Sequence, residues 1–163
     1  MMLLLAVLSG SCSDADSPGS GAGDPGAGGD GSASQEIGRF VLSGSGCRYE
    51  GPETVDAGEI SLSIASEMGA AADFDLWQME EGHTYSELVA HIDEEQRRFE
   101  AGEPGLGPPT FATLVAQGRA DPSEEATITI EAAAGEYGMA CIGIDPDQGT
   151  PASISAAGPF VAG

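Results

Sequence analysis

From Glu59 to Ser66 the chain alternates apolar and polar residues without a break, and this pattern limits the fold more than any other feature. Ile60, Leu62 and Ile64 fall on one side and Ser61 and Ser63 on the other, the period of a strand with one buried face. The period recurs between Asp73 and Met79, where Phe74 and Leu76 oppose Asp75 and Trp77. It recurs again where Ala126, Ile128 and Ile130 oppose Thr127 and Thr129. Phe40 to Leu42 and Cys47 to Tyr49 read as short strands around a Ser43-Gly44-Ser45-Gly46 turn. Tyr137 to Ile144 reads as a further strand and Pro159 to Val161 as a closing edge strand, whereas Thr110 to Ala116 fits neither period clearly.

One segment has the helical period instead. Thr84 followed by Glu87 forms a capping box, Leu88, Val89, Ile92 and Phe99 recur at helical spacing, and Gly102 and Pro104 end the run. Asp93, Glu94, Glu95, Arg97 and Arg98 make the expected wet face. The fold class is therefore mainly β, a β-sandwich with one inserted α-helix at about residues 84–101. With 163 residues the chain has room for one ordinary domain. Trp77, opposite Phe74 and Leu76, is expected to pack rather than lie in water.

The charge excludes one class of partner. The chain has 27 acidic residues, five arginines and no lysine, a net charge of −22. Four of the acids, Asp14, Asp16, Asp24 and Asp30, precede Gln35, so the remaining 23 acids and five arginines leave the domain at −18. Such a surface repels phosphate backbones, so nucleic acid is not an expected partner.

The first 12 residues differ from the rest. Leu3 to Leu8 is apolar, too short to span a bilayer but of the length of the apolar core of a secretory signal. Ser9-Gly10-Ser11-Cys12 then resembles the lipobox of bacterial lipoproteins, in which the cysteine is lipidated. Leu8 stands one place further from Cys12 than in that motif. No basic residue precedes the apolar run, as if the start lay inside the signal segment. Residues 13–34 contain Ser, Gly, Asp, Ala and Pro with no large apolar side chain, the composition of a disordered tether. The organisation expected is a signal and lipobox-like segment at 1–12, a tether at 13–34 and a β-sandwich domain at 35–163. The alternative is a cleaved signal with Cys12 an ordinary residue.

An odd number of cysteines, three, is awkward in an exported chain. With Cys12 assigned to lipid, Cys47 and Cys141 remain, 94 positions apart, and are expected to form a disulfide. The alternative is two buried thiols.

Thr127-Ile128-Thr129-Ile130, Ala134-Gly135-Glu136-Tyr137 and then Cys141 resemble the closing part of cupredoxin-like domains, where a strand, a tight turn and a cysteine lead to the copper loop. Asp73 to Met79 with Glu81-Gly82-His83-Thr84 resembles exported bacterial relatives of that fold, and the likeness covers roughly residues 39–162. It implies a cupredoxin-like Greek-key sandwich. A copper-binding member has a His before the Asp73 strand, a Cys, a second His in the following loop and usually a Met. Here Ala72 and Asp73 stand at the first position, and the loop Asp145 to Ala152 has no His and no Met. The departures imply a domain with no blue copper and no cofactor.

The remaining candidates are sparse. His83 and His91 are the two histidines, and His91 shares a helix face with Glu87 and Glu95. His83, His91 and Glu95 are therefore the weak metal candidates, against the simpler reading of a solvated face. Glu80 with Glu81, or Asp145 with Asp147, are paired carboxylates that acid–base chemistry or Ca²⁺ would need, but an acidic chain produces such pairs by chance. No nucleophile elbow, His-Glu-x-x-His or phosphate-cradling loop occurs, so no enzyme is expected. Two functions follow. The first is a lipoprotein on the outer face of a bacterial cell membrane displaying a metal-free binding or structural module, its partner an unknown envelope protein or small ligand. The second is an extracytoplasmic metal-handling protein that uses acidic residues, His83, His91 and Met79. A hydrolase using acidic residues is a third, weaker reading.

Overall fold

The computed structural model describes residues 35–163, so the signal, Cys12 and the tether at 13–34 lie outside the described residues. The elements run β1 (Gln35–Ser43), β2 (Gly46–Glu50), β3 (Thr54–Val55), β4 (Gly58–Ser66), β5 (Ala72–Met79), α1 (Tyr85–Ala101), β6 (Ala112–Ala120), β7 (Glu125–Ala132), β8 (Gly135–Ile144) and β9 (Pro151–Ala162). They form two sheets, one of four strands in the order β2-β1-β4-β7 and one of five in the order β3-β9-β8-β5-β6. Pairs β1/β4 and β3/β9 are parallel and the other neighbours antiparallel. The fold is a two-sheet β-sandwich with one inserted helix.

The main core lies between the sheets. Phe40, Leu62, Ile64, Phe74, Leu76 and Met139 are each fully buried there, as alternation requires of residues two apart on facing strands. Tyr137 stacks on Phe160 with ring centroids 5.0 Å apart, and its hydroxyl donates to the Ala133 carbonyl at 2.8 Å. Gly118 of β6 faces this core, and a Cβ there would meet Ile64 Cδ1 at 2.6 Å.

β4 is more enclosed than its pattern implies. Ser61 and Ser63, expected on a wet face, are buried. The Ser61 hydroxyl lies 2.9 Å from that of Thr129, and Ser63 donates to Glu36 Oε1 at 3.2 Å, so these polar atoms are satisfied in place.

Two strands differ from expectation. β6 spans Ala112–Ala120, beyond the ambiguous Thr110–Ala116 stretch. It is an edge strand with a register shift opposite Leu76 and Trp77, so its side chains do not keep a strict period. β9 is no short edge at Pro159–Val161 but a strand of 12 residues between β8 and β3. Its Ala and Ser side chains produce no apolar signal, and Pro159 sits near the register shift opposite Tyr137 and Met139.

Helix α1 packs on the outer face of the five-stranded sheet, forming a second core with Trp77, Met79, Leu88, Ile92, Ala112 and Ala140. Glu87 Oε2 accepts the Thr84 backbone N–H at 2.8 Å at its start, and Gly102 closes it in the left-handed conformation at φ 68°. The helix approaches closely because Gly138 lies beneath it. A Cβ on Gly138 would come within 2.6 Å of Tyr85 Cδ2 and 2.8 Å of Leu88 Cδ2. Gln96 Oε1 accepts the Ile154 N–H and Glu136 Oε2 the Tyr85 N–H, which fixes the helix to β9 and β8. Phe99, expected on the packed face, is 41% exposed near the helix end.

All five arginines carry an acidic partner. Arg39 pairs with Glu125, Arg48 with Glu50 and Glu67, Arg97 and Arg98 with Glu94, and Arg119 with Asp73 and Asp121. These exposed pairs add little stability individually, but together they leave the other acids uncompensated.

Candidate functional site

Cys47 and Cys141 form a disulfide that joins β2 of one sheet to β8 of the other. Cys141 lies at zero exposure in the main core, and the Cys47 N–H donates to Ser155 Oγ of β9 at 3.0 Å. The pairing expected from cysteine number is thus present.

The bond decides how this end of the sandwich meets the requirements of a blue copper centre. Such a centre needs a thiolate and two imidazoles around one ion. Cys141 has no thiolate while it is bonded to Cys47. Ala72 is fully buried against Gly143, and Asp73 is held by Arg119 at 3.0 Å. In the loop between β8 and β9, Asp145 Oδ1 accepts the N–H groups of Asp147 and Gln148 at 2.8 and 3.0 Å. Those bonds, that of Asp147 first, hold the Asp145 carboxyl below its usual range. Its oxygens are committed to their own turn. Among the described residues this end of the sandwich thus offers a disulfide-bonded Cys141, a buried Ala72 and an ion-paired Asp73.

The weak metal candidates are separated by their own bonds. His83 Nδ1 lies 3.1 Å from Glu87 Oε1. The Thr84 backbone N–H, and next His83, lower the Glu87 pKa. His91 Nε2 donates to the Gly107 carbonyl at 2.9 Å, and Glu95 Oε2 accepts the Leu106 N–H at 2.5 Å. The rings of His83 and His91 both pack against Phe111, with centroids 5.6 and 6.0 Å from it. Met79 is buried in the second core, which removes it from a metal-collecting surface. Among the described residues no three His, Cys, Asp or Glu side chains form a group able to hold a metal ion.

His91 and Glu95 were expected on a solvated face, but both are half-buried and hold a strap. Arg98 Nη1 adds a bond to the Pro104 carbonyl at 3.3 Å, so residues 91, 95 and 98 together tie the loop after α1 back along the helix. Beneath the strap is a cavity of about 170 Å³ that includes Trp77, Ile92, Ala140 and Ile154. Trp77 is buried at 7% exposure, as expected, yet its indole N–H has no partner. Sequence patterning located Trp77 but not the strap, whose bonds end on backbone atoms and leave no motif. A larger, more polar recess of about 630 Å³ lies near Glu80, Glu81, His83 and Glu136.

The fold and disulfide define a mainly β sandwich domain whose two sheets are cross-linked by Cys47 and Cys141. The chain is similar to auracyanin of the photosynthetic bacterium Roseiflexus castenholzii, in its dithionite-reduced form. The identity is 20% and the TM-score 0.40, over 77% of this chain and 94% of that one. It is also similar to auracyanin A, a blue copper protein of the green thermophilic photosynthetic bacterium Chloroflexus aurantiacus. There the identity is 13% and the TM-score 0.43, over 77% and 96% of the two chains. No family model and no curated protein matches the chain. Among the described residues no helix is long and apolar enough to cross a membrane.

Proposed function

We propose that this chain is an exported lipoprotein that displays a metal-free, cupredoxin-like binding module outside a bacterial cell membrane. The observation that carries the reading is the Cys47–Cys141 disulfide, which occupies the one cysteine that the resemblance would give to copper. A lipid on Cys12 and the tether at 13–34 hold the domain clear of the membrane, where disulfides persist. The module acts by binding a small ligand or an envelope protein, not by catalysis.

The test adds Cu²⁺ to the oxidised full-length chain and records visible absorption, alongside metabolic labelling with a fatty-acid probe. Oxygen ligation by surface carboxylates gives at most a pale complex, whereas a thiolate centre gives an intense blue band. No intense band, with labelling that Cys12→Ala abolishes, supports the reading. A strong band lost in Cys141→Ser overturns its metal-free part, and unchanged labelling in Cys12→Ala overturns the anchor.

A further inference from the structure

Odd-numbered residues of β5, even-numbered residues of β8, and Ile154 and Ala156 of β9 share the outer face of the five-stranded sheet. The register sets Asp75 opposite Ala140, Trp77 opposite Gly138, and Ile142 opposite Ile154. Helix α1 covers only part of this face, and the strap Gly107-Pro108-Pro109 roofs part of the remainder. The cavity of about 170 Å³ between them is floored by Trp77, Ala140, Ile142 and Ile154 and walled by Ile92. An apolar cavity of about 150 Å³ admits a benzene ring, so the volume suits one small ring.

The polar side-chain groups of the lining are Asp75, Glu95, His91 and the unpartnered indole N–H of Trp77. Asp75 accepts a hydrogen bond from Gln117 Nε2 at 2.7 Å, and Glu95 accepts one from the Leu106 N–H. No arginine lines the cavity: Arg98 is taken by Glu94 and Pro104, and Arg119 by Asp73 and Asp121. The surrounding domain carries 23 acids against five arginines, so its field concentrates cations and repels anions.

We propose that this cavity is a binding site for a small organic cation, an ammonium group on an apolar body about the size of one aromatic ring. The ring rests among Trp77, Ile92, Ile142 and Ile154. The charge lies towards Asp75 and Glu95, where the electron-rich indole adds cation–π attraction. The strap is part of the site, since His91 and Glu95 hold its backbone over the opening. The proposal rests on reading the domain as a binding module and names its ligand class. Its test does not depend on the copper or lipid experiments.

Trp77 is the sole tryptophan, so indole fluorescence of the full-length chain reports this cavity alone. Benzylammonium, benzyl alcohol and benzoate share the ring and differ in charge. Titration at neutral pH and fixed ionic strength is expected to give a saturable change with benzylammonium, about tenfold tighter than with benzyl alcohol, and none with benzoate. Asp75→Asn should weaken benzylammonium about fivefold or more and leave benzyl alcohol within about twofold. Ile142→Phe, which fills a half-buried part of the floor, should abolish the saturable response to both. Equal affinity for benzylammonium and benzyl alcohol would overturn the proposal, marking the cavity as merely apolar. So would a non-saturating response to benzylammonium, or saturation that survives both substitutions.

Discussion

Replacing both cysteines with alanine removes the covalent link between the sheets while leaving most of their contacts in place. Cys47 and Cys141 are 94 residues apart, so the bond closes a loop of most of the domain. The chain-entropy relation gives about 4–5 kcal/mol for a loop of this length, since the unfolded chain loses the conformations in which its cross-linked points separate. For a domain of about 130 residues the unfolding entropy near 60 °C is roughly 270 cal/mol/K, so the loss amounts to about 15 °C in Tm. Loss of the Cys141 sulfur from the core adds a small packing cost in the same direction. Circular dichroism melts of the oxidised chain, the reduced chain and the double variant provide the assay. The reduced chain and the Cys47→Ala/Cys141→Ala variant should melt together, well below the oxidised chain. A fall of less than about 4 °C in both would refute the loop-closure argument. A fall in the variant alone would assign the effect to core packing.

Two further outcomes follow from the helix. Gly138→Ala places a methyl group against Tyr85 and Leu88 and should lower stability by about 1–3 kcal/mol in a urea titration; an unchanged midpoint would mean that α1 does not rest on that glycine. The Glu87 carboxyl has its pKa lowered by the Thr84 N–H and then by His83, so it stabilises the fold above the ordinary carboxylate pKa, and that contribution is lost as pH falls through the lowered value. Glu87→Gln should remove this part of the acid dependence of helical ellipticity, and an acid limb identical to the parent's would contradict it.

The strands legible in the sequence were those with branched or aromatic side chains on one face: β4 through Ile60, Leu62 and Ile64, β5 through Phe74 and Leu76, and β7 through Ile128 and Ile130. The helix was legible through its ends, Thr84 with Glu87 and Gly102, because capping is local chemistry. β9 was mostly hidden, since Ala and Ser carry little pattern and its position comes from backbone pairing on two sides. Phe99 had the right spacing yet lies 41% exposed, because periodicity describes the helix and not how much of it the sheet covers. For the site, cysteine number yielded the disulfide. The roles of His91 and Glu95 stayed hidden, since their partners are backbone atoms of Gly107 and Leu106.

The link between Cys47 and Cys141 also sets how far this domain can be drawn out by force. A pull on the two ends of the described chain can straighten only the segments before Cys47 and after Cys141, about 30 residues, or roughly 100 Å at full extension. Without the bond the same pull would release about 130 residues and over about 400 Å. The oxidised domain therefore acts as a short, limited spring, in which most of β2 through β8 lies within a loop that carries no tension once the cross-link bears the load.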